Sequence, residues 1–458
     1  MRENNNPQMP LAPPWGKHER ARVLAELSAV LDTHPELNAL AASDVREERK
    51  STRGRKGMTG EQVLRIGFVY MMFELTYEEL GFHVEDSAAI RKFSRIPFGK
   101  SVKVSTLKRN LKRLTAATWE AASLALVNTA CEQGIEKGRM TRTDCTVVET
   151  NIHAPTDSSL MWDCVRVITR ILNRVRERFP EENWQFHDHT RRAKRYAYRI
   201  DFPEKKGSRK KNREKLYPKL ISTTEKVLEY GEHGLAILKN IAGVSLGDIA
   251  FLASTQAELR EFVVSTKKVI DQTRRRVLGG EKVPASDKLV SIFETHTDII
   301  IKKNRETLFG HKICLTGGKS SMILDVVIEN GNPADSTMVA RTIERQINIY
   351  GRPPRQASFD GGFASKDNLV LAKAAGVEDV AFHKKRGLEI DEMAKSPWVF
   401  RKLKKFRAGI EGCISTLKRA FKMGRATWRG DNSFKSYVWA SIASFNAVIL
   451  GRRLLAKA

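Results

Sequence analysis

The chain has 458 residues, of which 41% are hydrophobic, enough for more than one domain with a real core. Lys and Arg outnumber Asp and Glu by 80 to 53, a formal charge of +27, which concentrates polyanions and points to nucleic acid as partner. No uninterrupted apolar stretch of membrane-spanning length and no secretory signal is read from it, and five scattered cysteines without a CxxC pair argue against a disulfide framework.

Residues 1–57 read as a loose arm, a first helical stretch over "HERARVLAELSAVLDTHPELNALAASDV", and a basic linker, "REERKSTRGRKG" at 46–57. From 58 to 137 apolar residues recur every three and four, which predicts a compact all-helical domain. Within it "VSTLKRNLKRLT", 104–115, is a helix suited to DNA recognition, and dimerisation is the other role open to this domain. The period changes at "TDCTVVET", where β-branched residues predict a strand. A helical, basic insertion follows over 157–289, with tyrosines 196, 198 and 217 among its cations. Those rings suit either stacking on bases or packing between helices. "HDH" at 187–189 reads as surface loop rather than metal site, and "KKGSRKKNREK", 205–215, as a flexible loop whose Arg209, Lys210 and Lys211 contact phosphates.

Strand signals resume at "DIIIKKN", "GHKICLTGG" and "MILDVVIENG", with a hairpin turn at Gly317–Gly318. A helix capped at Asp335 or Ser336 and closed by Gly351 leads to strand "RQASFD", a second helix, strand "VEDVAFHK", and a long helix near 400–422. A last helix fills 426–458. The predicted class is α/β: a mixed five-stranded sheet over 138–156 and 290–425, with flanking helices, interrupted by the insertion.

Three acids stand out. Strand alternation puts Asp144, Thr146 and Val148 on one face and Glu149 on the other, so only one of the two acids serves a given site. A mid-strand carboxylate is disfavoured unless a cation neutralises it or the edge is in water. Asp360 ends a strand before Gly361 and Gly362, where a sheet with helical crossovers binds ligands and the glycines admit close backbone approach; a plain Asp-Gly turn is the alternative. On the 400–422 helix, Leu403, Phe406, Ile410, Ile414, Leu417 and Phe421 form an apolar stripe, with Arg407, Glu411 and Lys418 in a second stripe beside it. A solvated Arg-Glu pair is the commoner meaning of that spacing. Two aspartates on neighbouring strands and a glutamate on a late helix can clamp two divalent ions ~4 Å apart, as in two-metal phosphoryl transfer. Oxygen-only ligation suits Mg²⁺ or Mn²⁺. Trp398, just before this helix, fits buried core better than a wedge at a DNA end.

"TRTDCTVVETNI", "ASFDGGFASKDNLVLAKAAGV" and "FRAGIEGCISTLKRAF" resemble the three acidic blocks of DDE transposases of bacterial insertion sequences. "FETHTDIIIKKNRETLFGHKICLTGGKSSMILDVVIENGNPADSTM" resembles the ISNCY group in particular, and the resemblance runs from about 58 to 425. It implies an RNase H-like core with Asp144, Asp360 and Glu411 as catalytic, metal-binding acids. It also implies hydrolysis at element ends followed by strand transfer through a 3′-hydroxyl. Arg407, Glu411 and Lys418 match the spacing of a Tyr-x2-Arg-x3-Glu-x6-Lys signature whose Tyr position is Lys404 here; by analogy these cations contact DNA. The implied partners are duplex DNA with terminal inverted repeats, target DNA, and a second copy of the chain when DNA-bound, in the bacterial cytoplasm near the nucleoid. A non-catalytic DNA-binding protein would share the charge without needing the acids, and a structure-selective nuclease would cut without strand transfer.

Overall fold

The computed structural model describes residues 15–46, 57–97, 99–203, 209–241, 245–301, 306–383 and 387–457. Most of the basic linker at 46–57 and residues 205–208 of the basic loop lie outside that set. The chain divides into two compact units, Met1–Thr150 with Gly310–Ala458, and Asn151–Phe309.

The first unit begins with seven helices: α1 (Glu19–Asp32), α2 (Pro35–Val45), α3 (Gly60–Met72), α4 (Tyr77–Asp86), α5 (Ala88–Phe93), α6 (Val104–Leu111) and α7 (Ala116–Glu132). Capping boxes start α3 and α4: Thr59 and Thr76 accept from the backbone three residues on, where Gln62 and Glu79 bond back. Strand β1 (Met140–Thr150) follows. The second unit holds α8 (Asp157–Arg178), α9 (Thr190–Asp201), α10 (Arg209–Asn240), α11 (Leu246–Thr273) and β2 (Asp298–Ile301). It has its own core, in which Ile168, Ile171, Leu220, Leu259 and Val269 are fully or almost fully buried. The chain then returns through β3 (Thr307–Gly317), β4 (Ile323–Ile328), α12 (Val339–Tyr350), β5 (Gln356–Phe359), α13 (Lys366–Ala374), β6 (Asp379–Phe382), α14 (Ile390–Met393), α15 (Pro397–Ala420), β7 (Arg425–Ala426) and α16 (Asp431–Leu455).

In the first unit the strands lie side by side as β4-β3-β1-β5-β6. β3 is antiparallel to β1 and β4, while β5 is parallel to β1 and β6, so the sheet is mixed. β7 adds two residues beside the end of β1. One face buries Val148, Ile313 and Leu315 against α15 and the helical bundle; the other buries Cys314, Ala357, Phe359 and Val380 with residues of α12 and α13. Gly351 closes α12 with a left-handed backbone, as its position in sequence predicts.

Three expectations change. The helices of 58–137 are not a unit apart: they share one compact unit and one core with the sheet. The last helix is part of that core too. α16 is long and apolar enough by composition to cross a membrane, which the sequence reading overlooked, but 67% of its apolar window is buried. The turn at Gly317–Gly318 is a longer loop over 318–322, with Ser321 in the left-handed region. The buried Glu136 carboxylate draws it inward, accepting from the Ser320 backbone N–H at 2.8 Å and the Ser320 hydroxyl at 2.5 Å.

Asn446 ties α16 to the edge strand. Its fully buried amide accepts from the Ile323 N–H at 2.8 Å and donates to the Ile323 carbonyl at 2.7 Å. Asn446→Leu leaves both backbone groups buried without that partner, so stability should fall by roughly 2–4 kcal/mol. Urea unfolding checks this; an unchanged midpoint would show that the amide is not a structural link.

Candidate active site

β1 is the central strand, and its two registers bring the acids together. Thr143 pairs with Phe359 in the parallel ladder, so Asp144 and Asp360 are the next residues on neighbouring strands. Asp144 also faces Leu315 on the antiparallel side. Glu149 points elsewhere and pairs with Arg425 at 3.0 Å, as the alternation of the strand requires.

α15 brings Glu411 to the same place. Leu403, Ile410 and Leu417 are fully buried and Phe421 almost so, while Phe406 and Ile414 are half-buried, so the predicted stripe docks the helix. Arg142, two residues before Asp144 on the same face of β1, fastens the helix to the strand. Its guanidinium donates to the Phe406 carbonyl at 3.2 Å and the Ser321 hydroxyl at 3.2 Å, and lies 4.8 Å from the centre of the Phe406 ring. Gly409 makes the approach possible: a Cβ there would lie 1.7 Å from Arg142 Nη1. Sequence reasoning missed Arg142. The available signal was a cation on the inward face of a strand that is otherwise β-branched and small.

The three acids converge on one cation, Arg407. Its Nη1 lies 3.6 Å from Asp144 Oδ2 and 3.4 Å from Asp360 Oδ1, and its Nη2 donates to Glu411 Oε1 at 2.6 Å. Only 8% of the Arg407 side chain is exposed, against 18%, 40% and 60% for Asp144, Asp360 and Glu411. The acids thus line an opening whose floor is the guanidinium. Burial, then repulsion from Asp360, push the Asp144 carboxyl up to about 6, against the opposing pull of the Cys145 N–H, 2.8 Å away, and of Arg407. Three carboxylates against one guanidinium leave two negative charges in excess. An all-oxygen, net-negative, partly open cluster fits hard divalent cations such as Mg²⁺.

Other sequence-predicted residues fall in different places. Arg407 is buried beneath the acids rather than presented to solvent. Lys404 is exposed on α15, and Lys418 is half-buried in its last turn. Trp398 is not core: it is 62% exposed at the start of α15, with the Lys402 ammonium 5.0 Å over its ring. Gly362 packs against this unit's own Asp335, whose Oδ2 would lie 2.6 Å from a Cβ; its smallness is used by that contact. Arg209, Lys210 and Lys211 open helix α10 instead of lying in a loop, because Leu216, Tyr217 and Leu220 supply a buried stripe that continues the helix. In the same unit, α9 buries Ala193, Ala197 and Ile200 and exposes Arg191, Arg192, Lys194, Arg195 and Arg199. Tyr217 is core and Tyr196 half-buried, whereas Tyr198 is exposed beside Phe202, their ring centres 5.1 Å apart. His189 stacks on Tyr230 at the end of the "HDH" loop.

Residues 292–447, about a third of the chain, match a family model described as Transposase DDE domain. That stretch includes Asp360, Arg407, Glu411 and Lys418 but begins after Asp144. The match supports a likeness to DDE transposases. No curated protein and no solved structure matches the chain.

The raised Asp144 makes a stability prediction for the metal-free protein. Folded, the carboxyl holds its proton up to about 6, against an ordinary 3.8. The native state therefore binds more protons in that window, and its stability falls as pH rises through it, by roughly 2–3 kcal/mol. Asp144→Asn mimics the protonated form, so it should stabilise the protein above pH 6 and lose that advantage as pH falls below 4. Thermal unfolding of both proteins at pH 7 and pH 4 measures it; a destabilised variant at pH 7 would contradict the electrostatic account.

Proposed function

We propose that this chain is a DDE-type DNA transposase of the ISNCY-like group. It would cut at the ends of its element by phosphodiester hydrolysis and join the freed 3′-hydroxyl to target DNA. The convergence of Asp144, Asp360 and Glu411 on one buried guanidinium carries this reading. The family match over the stretch containing two of the acids supports it, as does the order β4-β3-β1-β5-β6, which suits an RNase H-like core.

Asp144, Asp360 and Glu411 would hold two Mg²⁺ ions, or Mn²⁺. When bound, such ions lower the pKa of the attacking water or hydroxyl and stabilise the leaving oxygen. The chain supplies the rest. β1 and β5 fix the two aspartates by register, so they need no rearrangement to act together. α15 holds Glu411 at the open side, where a phosphodiester can reach it. Arg407 offsets part of the carboxylate repulsion before ions arrive and lies close enough to the acids to neutralise charge on a bound phosphate. The exposed cation Lys404, in the unit that holds the acids, offers a contact to DNA backbone, and in the other unit Lys210 and the cations of α9 offer backbone contacts of their own. Handling two inverted-repeat ends and a target site at once calls for a second copy of the chain when DNA is bound. The protein would act in the bacterial cytoplasm, where the nucleoid lies.

Duplexes carrying the DNA that flanks the gene, where this reading expects inverted repeats, would supply the substrate for a test. In Mg²⁺, Asp144→Ala, Asp360→Ala and Glu411→Ala should each lower end cleavage by at least about 100-fold, while duplex binding stays within about threefold. Cleavage that survives in the Asp144 or Asp360 variant refutes the assignment. Cleavage by the wild type without joining of a pre-cut end would make it a nuclease instead. At subsaturating Mg²⁺ the cleavage rate should fall about tenfold per pH unit below 6, because Asp144 must lose its proton to serve as a ligand. Raising Mg²⁺ should move that fall to lower pH; a profile indifferent to Mg²⁺ would separate Asp144 from the metal.

A further inference from the structure

The acids lie where β5 ends. At the opposite end of the sheet, where β1 and β5 begin, residues 134–140, 319–320, 355–356 and 453–457 enclose a second concavity, about 670 Å³ in volume. Six cations line it: Lys137, Arg139, Lys319, Arg355, Arg453 and Lys457. All six are exposed. They come from four separate stretches of chain, so the cluster is made by the fold and is not a run of sequence.

Its backbone is held by one buried acid. Glu136 is 2% exposed, and its carboxylate accepts from the N–H groups of Lys137 at 2.8 Å, Gly138 at 3.0 Å and Ser320 at 2.8 Å, and from the Ser320 hydroxyl. A Cβ on Gly318 would come within 2.3 Å of that carboxylate, so the loop carrying Lys319 is drawn fully onto it. The two bonds from the Lys137 and Gly138 N–H groups fix the segment carrying Lys137 and Arg139. Among the described residues Glu136 is the one acid in the lining, and its hydrogen bonds leave it turned to backbone. Arg355 pairs with Glu378 at 2.7 Å and Lys457 donates to the Gln133 carbonyl. Lys137, Arg139, Lys319 and Arg453 have no ion pair with any described acid. Several like charges held around one concavity repel each other unless an anion joins them.

We infer that this cleft is a second DNA-binding site, which grips the phosphate backbone of a duplex segment other than the one at the acids. Long, exposed Lys and Arg side chains match phosphodiester oxygens, and among the described residues of the lining no aromatic ring offers a stacking surface for a base. Contact is therefore to backbone and independent of sequence. Four strand steps separate Gln356 in the cleft from Asp360, on the order of 13 Å, and the two openings lie at opposite strand ends. The inference rests on the reading of the chain as a DNA-acting protein, and its test separates the two.

The full chain and its Arg139→Gln/Lys319→Gln/Arg453→Gln variant are titrated with an arbitrary-sequence 40-bp duplex across a range of KCl by fluorescence anisotropy. Glutamine keeps the polar exposed surface, and the single Lys319→Gln variant provides the same test if the triple variant misfolds. Each lost phosphate contact should flatten the slope of log K against log salt by about 0.9, hence by roughly 2.7 for three, and affinity at low salt should fall at least about tenfold. Single-turnover cleavage of a short element end at saturating protein should be unchanged, since the acids are intact. An unchanged slope, with or without weaker binding, overturns the second site. So does a loss of binding to inorganic phosphate or a mononucleotide with duplex binding preserved, which would make it a small-anion pocket. A wild-type chain that binds no duplex at all would instead remove the DNA reading on which both proposals stand.

Discussion

Three carboxylates and one buried guanidinium share a space at the centre of the sheet, and the rest of the first unit is arranged around that fact. Asp144, Asp360 and Glu411 lie within 3.6 Å of Arg407 side-chain nitrogens. In a chain of formal charge +27 this is a local inversion of sign. Without the guanidinium, three ionised acids would repel one another in a partly desolvated place. With it, the repulsion is reduced and not removed, as the elevated Asp144 carboxyl records. A cluster left short of positive charge suits divalent cations, whereas a cluster fully neutralised by the protein would not.

Such a cluster costs folding free energy, so it has to be imposed by packing elsewhere. β1 is hydrogen-bonded on both sides, by β3 and β5, which fixes Asp144 against sliding. α15 is held by its apolar stripe and by Arg142, whose entry depends on a glycine at 409. α16 backs the other side of the helical core and reaches the edge strand through Asn446. Each of these contacts lies outside the acid cluster, and each limits how far one acid can move from the others. The pre-arranged geometry would let the proposed metal site assemble without a large conformational step.

Much of this was legible in sequence because it follows from periodicity. A strand that alternates and a helix that repeats at 3.6 residues place Asp144, Glu149 and Glu411 on definite faces, and the structure keeps each on that face. The turn glycine at 351 was equally readable, since its backbone conformation is local. What could not be read depends on contacts between distant segments. The buried place of Arg407, the bond from Arg142 to the backbone of α15, and the loop drawn onto Glu136 are all non-local. Trp398 shows the opposite failure: aromatic character argued for burial, but its place in the first turn of α15 leaves it outside the stripe that docks. At 209–211 a run of cations looked like a loop, while the apolar residues just after it had already set a helical register.

The two ends of the sheet show one physical solution used with opposite sign. At the carboxyl end of β5, acids surround a buried arginine and remain short of positive charge. At the amino end, basic loops are organised by a buried glutamate and remain short of negative charge. In both places one buried residue of the minority sign holds less buried groups of the majority sign in position. Neither arrangement stabilises the fold by itself, because each concentrates like charge. Each would become favourable if an outside ion completed it: on the reading proposed above, a divalent cation at one end and a phosphate chain at the other. A protein that acts in the proposed way needs the two potentials kept apart, and the length of the parallel strands between them would provide that separation.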